Sequence, residues 1–117
     1  MTTITLFRDD PDAVAYPAGQ TIFGEGEKAT AMYAVVEGEV ELRQDGELIR
    51  TVGPGSIFGE MALVEHAPRS ATATTKTACK LVEVSERRFN FLVQQTPFFA
   101  LQVMRIMSER LRERERD

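Results

Sequence analysis

The fold class of this 117-residue chain is decided by residues 39–52, which read EVELRQDGELIRTV. Polar and apolar residues alternate from Glu39 to Arg43, which is the period of a β-strand with one face in water. Asp45-Gly46 then favours a two-residue hairpin turn, because both central residues of such a turn need positive φ. Glu47–Val52 is therefore predicted to return as the antiparallel partner strand.

Short strands are also predicted on both sides of this hairpin. Residues 32–36 form a dense apolar run, and residues 71–76 and 79–84 are rich in Thr and Val. All eight glycines lie before Ser85 and none follows it, so turns are confined to the first part of the chain. This pattern predicts a mainly β protein, an antiparallel sandwich or barrel, with helices at the C-terminal end.

Two helices are predicted after the strands. Ser85 is placed to cap the first helix, whose apolar residues follow at helical spacing. Thr96 and Pro97 are suited to the N-cap and first position of a second helix, which we expect to reach about Arg112 or beyond. The run from Arg110 to Asp117 alternates arginine with acidic residues, and we expect it to be a solvated end.

The second helix carries more apolar surface than one stripe. One stripe consists of Leu101, Met104, Met107 and Leu111, and a second apolar group consists of Phe99, Val103 and Ile106. A helix that lies on a sheet needs only one such stripe. We expect the first stripe to face the β-domain, and the second to meet either the neighbouring helix or a second copy of the chain.

The composition excludes several classes of function. The chain has 14 Lys and Arg residues and 18 Asp and Glu residues. The resulting net charge of −4 disfavours direct binding to nucleic acid. One cysteine and one histidine are too few for a disulfide framework or a multi-ligand zinc site. No nucleophile is paired with a base, and no leader or spanning segment is recognisable. We expect a cytoplasmic, non-enzymatic protein with no cofactor, metal, membrane or direct DNA contact.

The candidate site lies in residues 59–63, GEMAL, and 68–71, PRSA. Gly59 lets a ligand approach the backbone closely, and successive N–H groups after it can point at an anion. Arg69 offers a planar fork for two phosphate oxygens, and Glu60 accepts a hydrogen bond from a hydroxyl group. These groups suit a ribose joined to a phosphate, although a surface ion pair between Glu60 and Arg69 is the alternative.

The amino-acid sequence of this segment resembles the phosphate-binding cassette of cyclic nucleotide-binding domains. The matching text is FGEMAL at 58–63 and RSA at 69–71, preceded by AGQTIF at 18–23 and MYAVVEGEV at 32–40. The likeness extends over residues 16–111. This family includes the cyclic-AMP-binding domains of protein kinase regulatory subunits and of bacterial regulators of the catabolite-activator type.

The resemblance implies a single domain over residues 1–117, with an antiparallel β-roll of about eight strands at about 13–84. Helices at about 85–113 would form a lid and hinge pair. Glu60 would bind the ribose 2′-hydroxyl and Arg69 the exocyclic phosphate oxygens. The implied ligand set is Gly59, Glu60, Met61, Ala62, Arg69, Ser70 and Ala71.

The resulting expectation is a sensor for a cyclic nucleotide, cyclic AMP rather than cyclic GMP, which acts by moving its C-terminal helices. Its partners would be the nucleotide, a second copy docked through the helix from Pro97, and an unidentified effector protein. Two alternatives remain: an interaction module that keeps the roll but binds no nucleotide, and a cupin-like metal enzyme. The single His66 disfavours the metal enzyme.

Overall fold

The computed structural model describes residues 1–115, with the side chains of residues 1–113. Eight strands and three helices run along these residues. They are β1 Val14–Tyr16, β2 Thr21–Phe23, β3 Ala31–Glu37, β4 Val40–Gln44, β5 Glu47–Val52, β6 Ile57–Phe58, α1 Met61–Glu65, β7 Thr72–Thr75, β8 Cys79–Ser85, α2 Glu86–Gln95 and α3 Pro97–Glu115. None of the helices described here combines the length and the apolar composition needed to cross a membrane.

The strands form two four-stranded antiparallel sheets. One has the order β1-β8-β3-β6 and the other β2-β7-β4-β5, so each sheet joins strands from distant parts of the chain. This β-roll with helices at its C-terminal end confirms the predicted fold class. The predicted strand at 71–76 is shorter in the structure, at Thr72–Thr75, and the one at 79–84 extends to Ser85.

The hairpin that the sequence predicts most strongly is present. Gln44 pairs with Glu47, and the turn residues Asp45 and Gly46 have φ of 53° and 81°. The short side chain of Asp45 tolerates this left-handed conformation, and glycine adopts it without steric hindrance.

Strand β3 is buried on both faces over most of its length, which explains the dense apolar run there. Tyr33 and Val35 point into a cluster between the two sheets, whereas Met32 and Ala34 point into a second cluster beneath the helices. Alternate residues of a strand face opposite sides, so a strand covered on both sides needs apolar residues throughout.

The two C-terminal helices begin where the sequence predicts. The Ser85 hydroxyl accepts a hydrogen bond from the Arg88 amide at 3.1 Å and caps α2. At the start of α3 the Phe99 amide donates to the Thr96 carbonyl at 2.8 Å. The ring of Phe99 also packs edge-on against Phe89 of α2, with ring centroids 5.9 Å apart.

The predicted orientation of α3 was wrong. Phe99, Val103 and Ile106 are the buried residues and pack against the sheet, α2 and the N-terminal segment. The stripe expected to face the roll is largely in solvent, with Leu101, Met104 and Leu111 exposed and Met107 half-buried. The neighbouring helix therefore helps to cover the Phe99 side, and the surface left open is the Leu101 stripe.

The first residues of the chain form a strap, residues 2–12, across the helices. Ile4 and Phe7 are buried in the core beneath the helices. The Thr2 hydroxyl donates to Glu109 of α3 at 2.9 Å. Asp10 accepts a hydrogen bond from Arg88 of α2. The strap thereby joins both helices to the roll.

Candidate functional site

The candidate site begins at the sharp turn between β6 and α1. Gly59 has φ of 75°, and a Cβ atom there would lie 2.6 Å from Nη1 of Arg69, so this position requires glycine. The next residue, Glu60, turns back and accepts a hydrogen bond from the Met61 amide at 3.2 Å. The turn thus brings a carboxylate and a guanidinium group to one place.

Arg69 lies beneath this turn and is only 8% exposed. Its Nη1 donates to the Gly59 carbonyl at 3.1 Å and its Nη2 to the Ala31 carbonyl at 2.6 Å. Burial lowers the pKa of the Arg69 guanidinium from its usual value, while Tyr33 and nearby glutamates act in the opposite direction. A guanidinium group keeps its charge throughout the physiological pH range, so this is a buried positive charge.

Glu60 is 5% exposed and pairs with Arg110 of α3. Arg110 also donates to the Ile57 carbonyl and, at 3.2 Å, to the Ser56 hydroxyl. Burial lowers the pKa of Arg110, and the adjacent Glu60 carboxylate opposes that shift. The structure therefore joins the cassette to α3 through a buried ion pair.

This pair corrects two expectations. Arg110 is part of the site and not of a solvated end, although Arg112 and Glu113 after it are exposed. The remainder of the expected solvated end, from residue 114 onward, lies outside the described side chains. The alternative of a surface ion pair between Glu60 and Arg69 is also wrong, because both side chains are buried and the ion-pair partner of Glu60 is Arg110.

All seven predicted site residues line one cavity of about 80 Å³. The cavity is also lined by residues that the prediction did not name, which are Phe23, Leu42, Ile49 and Pro68. Small-molecule pockets usually have volumes of about 300–1,000 Å³. The cavity thus has room for a small anionic group, and a larger ligand must extend beyond it.

The other predicted residues have distinct environments. Ala62 and Ala71 are buried, whereas Met61 and Ser70 are exposed. The Ser70 carbonyl accepts a hydrogen bond from Nε2 of Gln44 at 3.1 Å, which ties the loop before β7 to the β4–β5 hairpin.

Among the residues that the sequence did not indicate, Phe23 and Arg110 contact the charged groups of the site directly. Arg110 follows Phe99, Val103 and Ile106 at intervals of four, three and four residues, which places it on the buried side of α3. That spacing becomes a signal only once the Phe99 side of α3 is known to face the core. No local pattern indicates that the Phe23 ring lies 3.9 Å below the Arg69 guanidinium.

A β-roll that buries a carboxylate and a guanidinium at one cavity defines a binding domain for a small anionic ligand that carries hydroxyl groups. Comparison with known proteins shows to which family of binding domains the chain belongs. Residues 13–96 match the family model described as the cyclic nucleotide-binding domain. The chain belongs to the cyclic nucleotide-binding domain family.

Relatives of known function and structure support this assignment. The chain is 31% identical over 104 residues to a CRP-like cAMP-activated global transcriptional regulator of Mycobacterium tuberculosis, a match covering 85% of this chain and 46% of that protein. The crystal structure of Thermus thermophilus catabolite activator protein superposes with a TM-score of 0.78 at 30% identity, over 88% of this chain and 51% of that one. The chain spans about half the length of the curated relatives it matches.

A third structural relative comes from work on a cyclic-GMP-dependent signalling pathway in bacterial phytopathogenesis. Its TM-score is 0.74 at 31% identity, and the match covers 86% of this chain and 84% of that one. Relatives of this chain are therefore associated with cyclic AMP and with cyclic GMP.

Proposed function

We propose that residues 1–117 act as one regulatory domain that binds cyclic AMP in preference to cyclic GMP and catalyses no reaction. The single observation that carries this proposal is the pair of buried groups, Glu60 and Arg69, on the same cavity. Cyclic AMP is favoured because the curated relative from Mycobacterium tuberculosis reported above is described as a cAMP-activated regulator.

The chemistry of the cavity suits the two ends of such a ligand. Arg69 supplies a fixed positive charge for the phosphate, and Gly59 leaves the backbone beside it uncovered by a side chain. Glu60 accepts hydrogen bonds only, and it suits a ribose hydroxyl group. Met61, Ala62, Ser70 and Ala71 would complete the cradle around the phosphate.

Arg110 provides the route from the ligand to the helices. Glu60 is bonded to this residue of α3, so a ribose hydroxyl that binds Glu60 must share the carboxylate with Arg110 or replace it. Either outcome changes the free energy of the α3 position observed here. A ligand that binds one arrangement of α3 more tightly shifts the population toward it.

The exposed stripe of α3 is the proposed contact with a second copy of the chain. Pro97, Leu101, Met104, Ser108 and Leu111 follow one another at intervals of four and three residues. That spacing is the narrow seam of a coiled coil, and its large side chains are exposed. A two-fold dimer is the commonest way to bury such a surface.

The dimer is tested by sedimentation at several protein concentrations. Met104→Glu should reduce the apparent mass to that of a monomer, because it places a charge in the seam. Glu113→Gln, on another side of α3, should leave the mass unchanged. A mass that stays near the 13.1 kDa of one chain at every concentration of the wild type rejects the dimer. Val103 is unsuitable for this test because it is buried in the core.

Ligand binding is tested by calorimetric titration with cyclic AMP and cyclic GMP in parallel. Arg69→Ala is expected to weaken binding by about 2–5 kcal/mol, because a desolvated phosphate charge loses its partner. Arg43→Ala, which removes a half-buried arginine of β4 that does not line the cavity, is the matched control and should bind as the wild type does. Circular dichroism checks that each variant is folded.

Two results would contradict the proposal. No heat and no thermal stabilisation with either nucleotide at millimolar concentration would favour an interaction module that binds no nucleotide. Equal affinity of Arg69→Ala and the wild type would place the ligand elsewhere. Tighter binding of cyclic GMP than of cyclic AMP would contradict the base preference alone.

A further inference from the structure

The arginine of the site lies on an aromatic surface. The Cζ atom of Arg69 is 3.9 Å from the centroid of the Phe23 ring and 5.9 Å from that of Tyr33. The Phe23 ring is itself held by neighbours, with centroids 6.0 Å from Tyr33 and 5.9 Å from Phe58. The distance of 3.9 Å is van der Waals contact between the guanidinium group and the ring.

This contact restrains a motion that the hydrogen bonds of Arg69 leave free. The donors to the Gly59 and Ala31 carbonyls lie in the guanidinium plane, so they hold its edge but only weakly hold its tilt. A ring beneath the group fixes the tilt, because the attraction is strongest when the cation lies over the ring face. Of the five N–H groups of arginine, those not bonded to the two carbonyls remain for an anion.

We propose that Phe23 is a positioning residue for phosphate recognition, whose ring sets the plane of Arg69 so that the free N–H edge meets the anionic group of the ligand. The inference deepens the proposed function and rests on it. Phe23 is buried beside the cavity and lines it, so its ring is placed to act through Arg69.

The role is distinguishable from simple packing. A leucine at position 23 fills much of the same space and remains apolar, but it lacks the π-electron face that attracts the guanidinium group. A tyrosine at this position keeps that face. If the ring only filled the core, affinity would follow the stability of each variant and not the presence of an aromatic side chain.

Calorimetric titration with cyclic AMP tests the proposal. Phe23→Leu is expected to lower the affinity roughly tenfold, within the range of a desolvated cation–π contact. Phe23→Tyr is expected to stay within about twofold of the wild type. In an Arg69→Lys background, Phe23→Leu should change the affinity by less than about twofold, because the planar group is then absent.

The matched control is Phe7→Leu. Phe7 is also a buried phenylalanine below an arginine, with Arg88 5.4 Å from its ring, but it lies in the strap and away from the cavity. This variant should bind cyclic AMP as the wild type does. An equal loss of affinity in Phe7→Leu and Phe23→Leu would overturn the proposal in favour of general destabilisation.

A readout without ligand tests the placement of Arg69 directly. A group held over a ring face experiences its ring current, so the Arg69 side-chain protons should resonate upfield in the wild type and in Phe23→Tyr. They should return toward ordinary shifts in Phe23→Leu. Unchanged shifts in Phe23→Leu, or equal affinities of Phe23→Leu and a binding wild type, overturn this inference alone. A wild type that binds neither nucleotide overturns the proposed function first.

Discussion

Replacing Arg110 with methionine is expected to destabilise the protein by about 3 kcal/mol. The substitution keeps much of the apolar length of the side chain and removes the charge that faces Glu60. The Glu60 carboxylate then remains buried with the Met61 amide as its other described hydrogen-bond donor. The Ile57 carbonyl also loses the donor that Arg110 supplies.

The magnitude follows from the burial of the pair. The exposed fraction is 7% for the Glu60 side chain and 16% for that of Arg110, so solvent screens this pair little. Removal of one partner from a buried ion pair usually costs about 3–5 kcal/mol. The lower end applies here because Glu60 keeps one amide donor. A domain of this size is stable by only about 5–15 kcal/mol, so the loss is readily measured.

Urea unfolding followed by circular dichroism measures the effect. At about 1–3 kcal/mol per molar urea, a loss of about 3 kcal/mol lowers the midpoint by roughly 1–3 M. Arg112→Met, at an exposed position of the same helix, is the control and should change stability by less than about 0.5 kcal/mol. Glu60→Gln combined with Arg110→Met should recover much of the loss, because no charge is left unpaired. Equal midpoints for Arg110→Met and Arg112→Met would refute the reasoning.

Three further perturbations have defined outcomes. Gly59→Ala should lower the melting temperature and weaken cyclic AMP binding, because φ is 75° there and the new Cβ displaces Arg69. Gly38→Ala should lower the melting temperature more, because its Cβ would lie 2.3 Å from a backbone carbonyl that cannot move aside. Burial acts to raise the pKa of Asp10, but its hydrogen bond from Arg88 holds that pKa below the usual value. The stability that Arg88→Met removes should therefore be largest at neutral pH, and urea unfolding should show it shrinking below about pH 4, as the wild-type carboxylate protonates.

The longer strands were predictable because their signals are local, whereas the β-roll of about eight strands was implied by the family resemblance. A strand with one wet face alternates in polarity, and the hairpin at residues 39–52 adds a turn that only a few residue pairs adopt. These constraints act between neighbours in sequence, so no knowledge of distant contacts is needed.

The orientation of α3 was not predictable from apolar residues alone. The helix has two apolar arcs. The arc that faces the core contains Arg110, and its sequence therefore suggests the more polar face of the two. That arginine is tolerated in the interior because Glu60 and two oxygen atoms of the β5–β6 region bind it. The partner that reverses the assignment lies 50 residues away.

In the candidate site, too, the residues close together in sequence were predictable, and the contacts between distant segments were not. The resemblance of the cassette indicated seven of the eleven residues that line the cavity, and one turn, one short helix and one loop fix the spacing of those seven. The aromatic support of Arg69 comes from Phe23 on β2, which the fold brings beside the cassette. The strap was missed for the same reason, since Thr2 bonds to a residue 107 positions away.

The pairing of distant segments also governs when this chain can fold during synthesis. β1 pairs with β8, so the first sheet cannot close until Ser85 has left the ribosome. The contact between Thr2 and Glu109 forms later still, after nearly the whole of α3 has emerged. At about 5–20 residues per second, the nascent N-terminal segment waits several seconds with Ile4 and Phe7 uncovered. The strap is therefore synthesised before the residues that it contacts, and within this domain it is among the last segments to reach its native contacts.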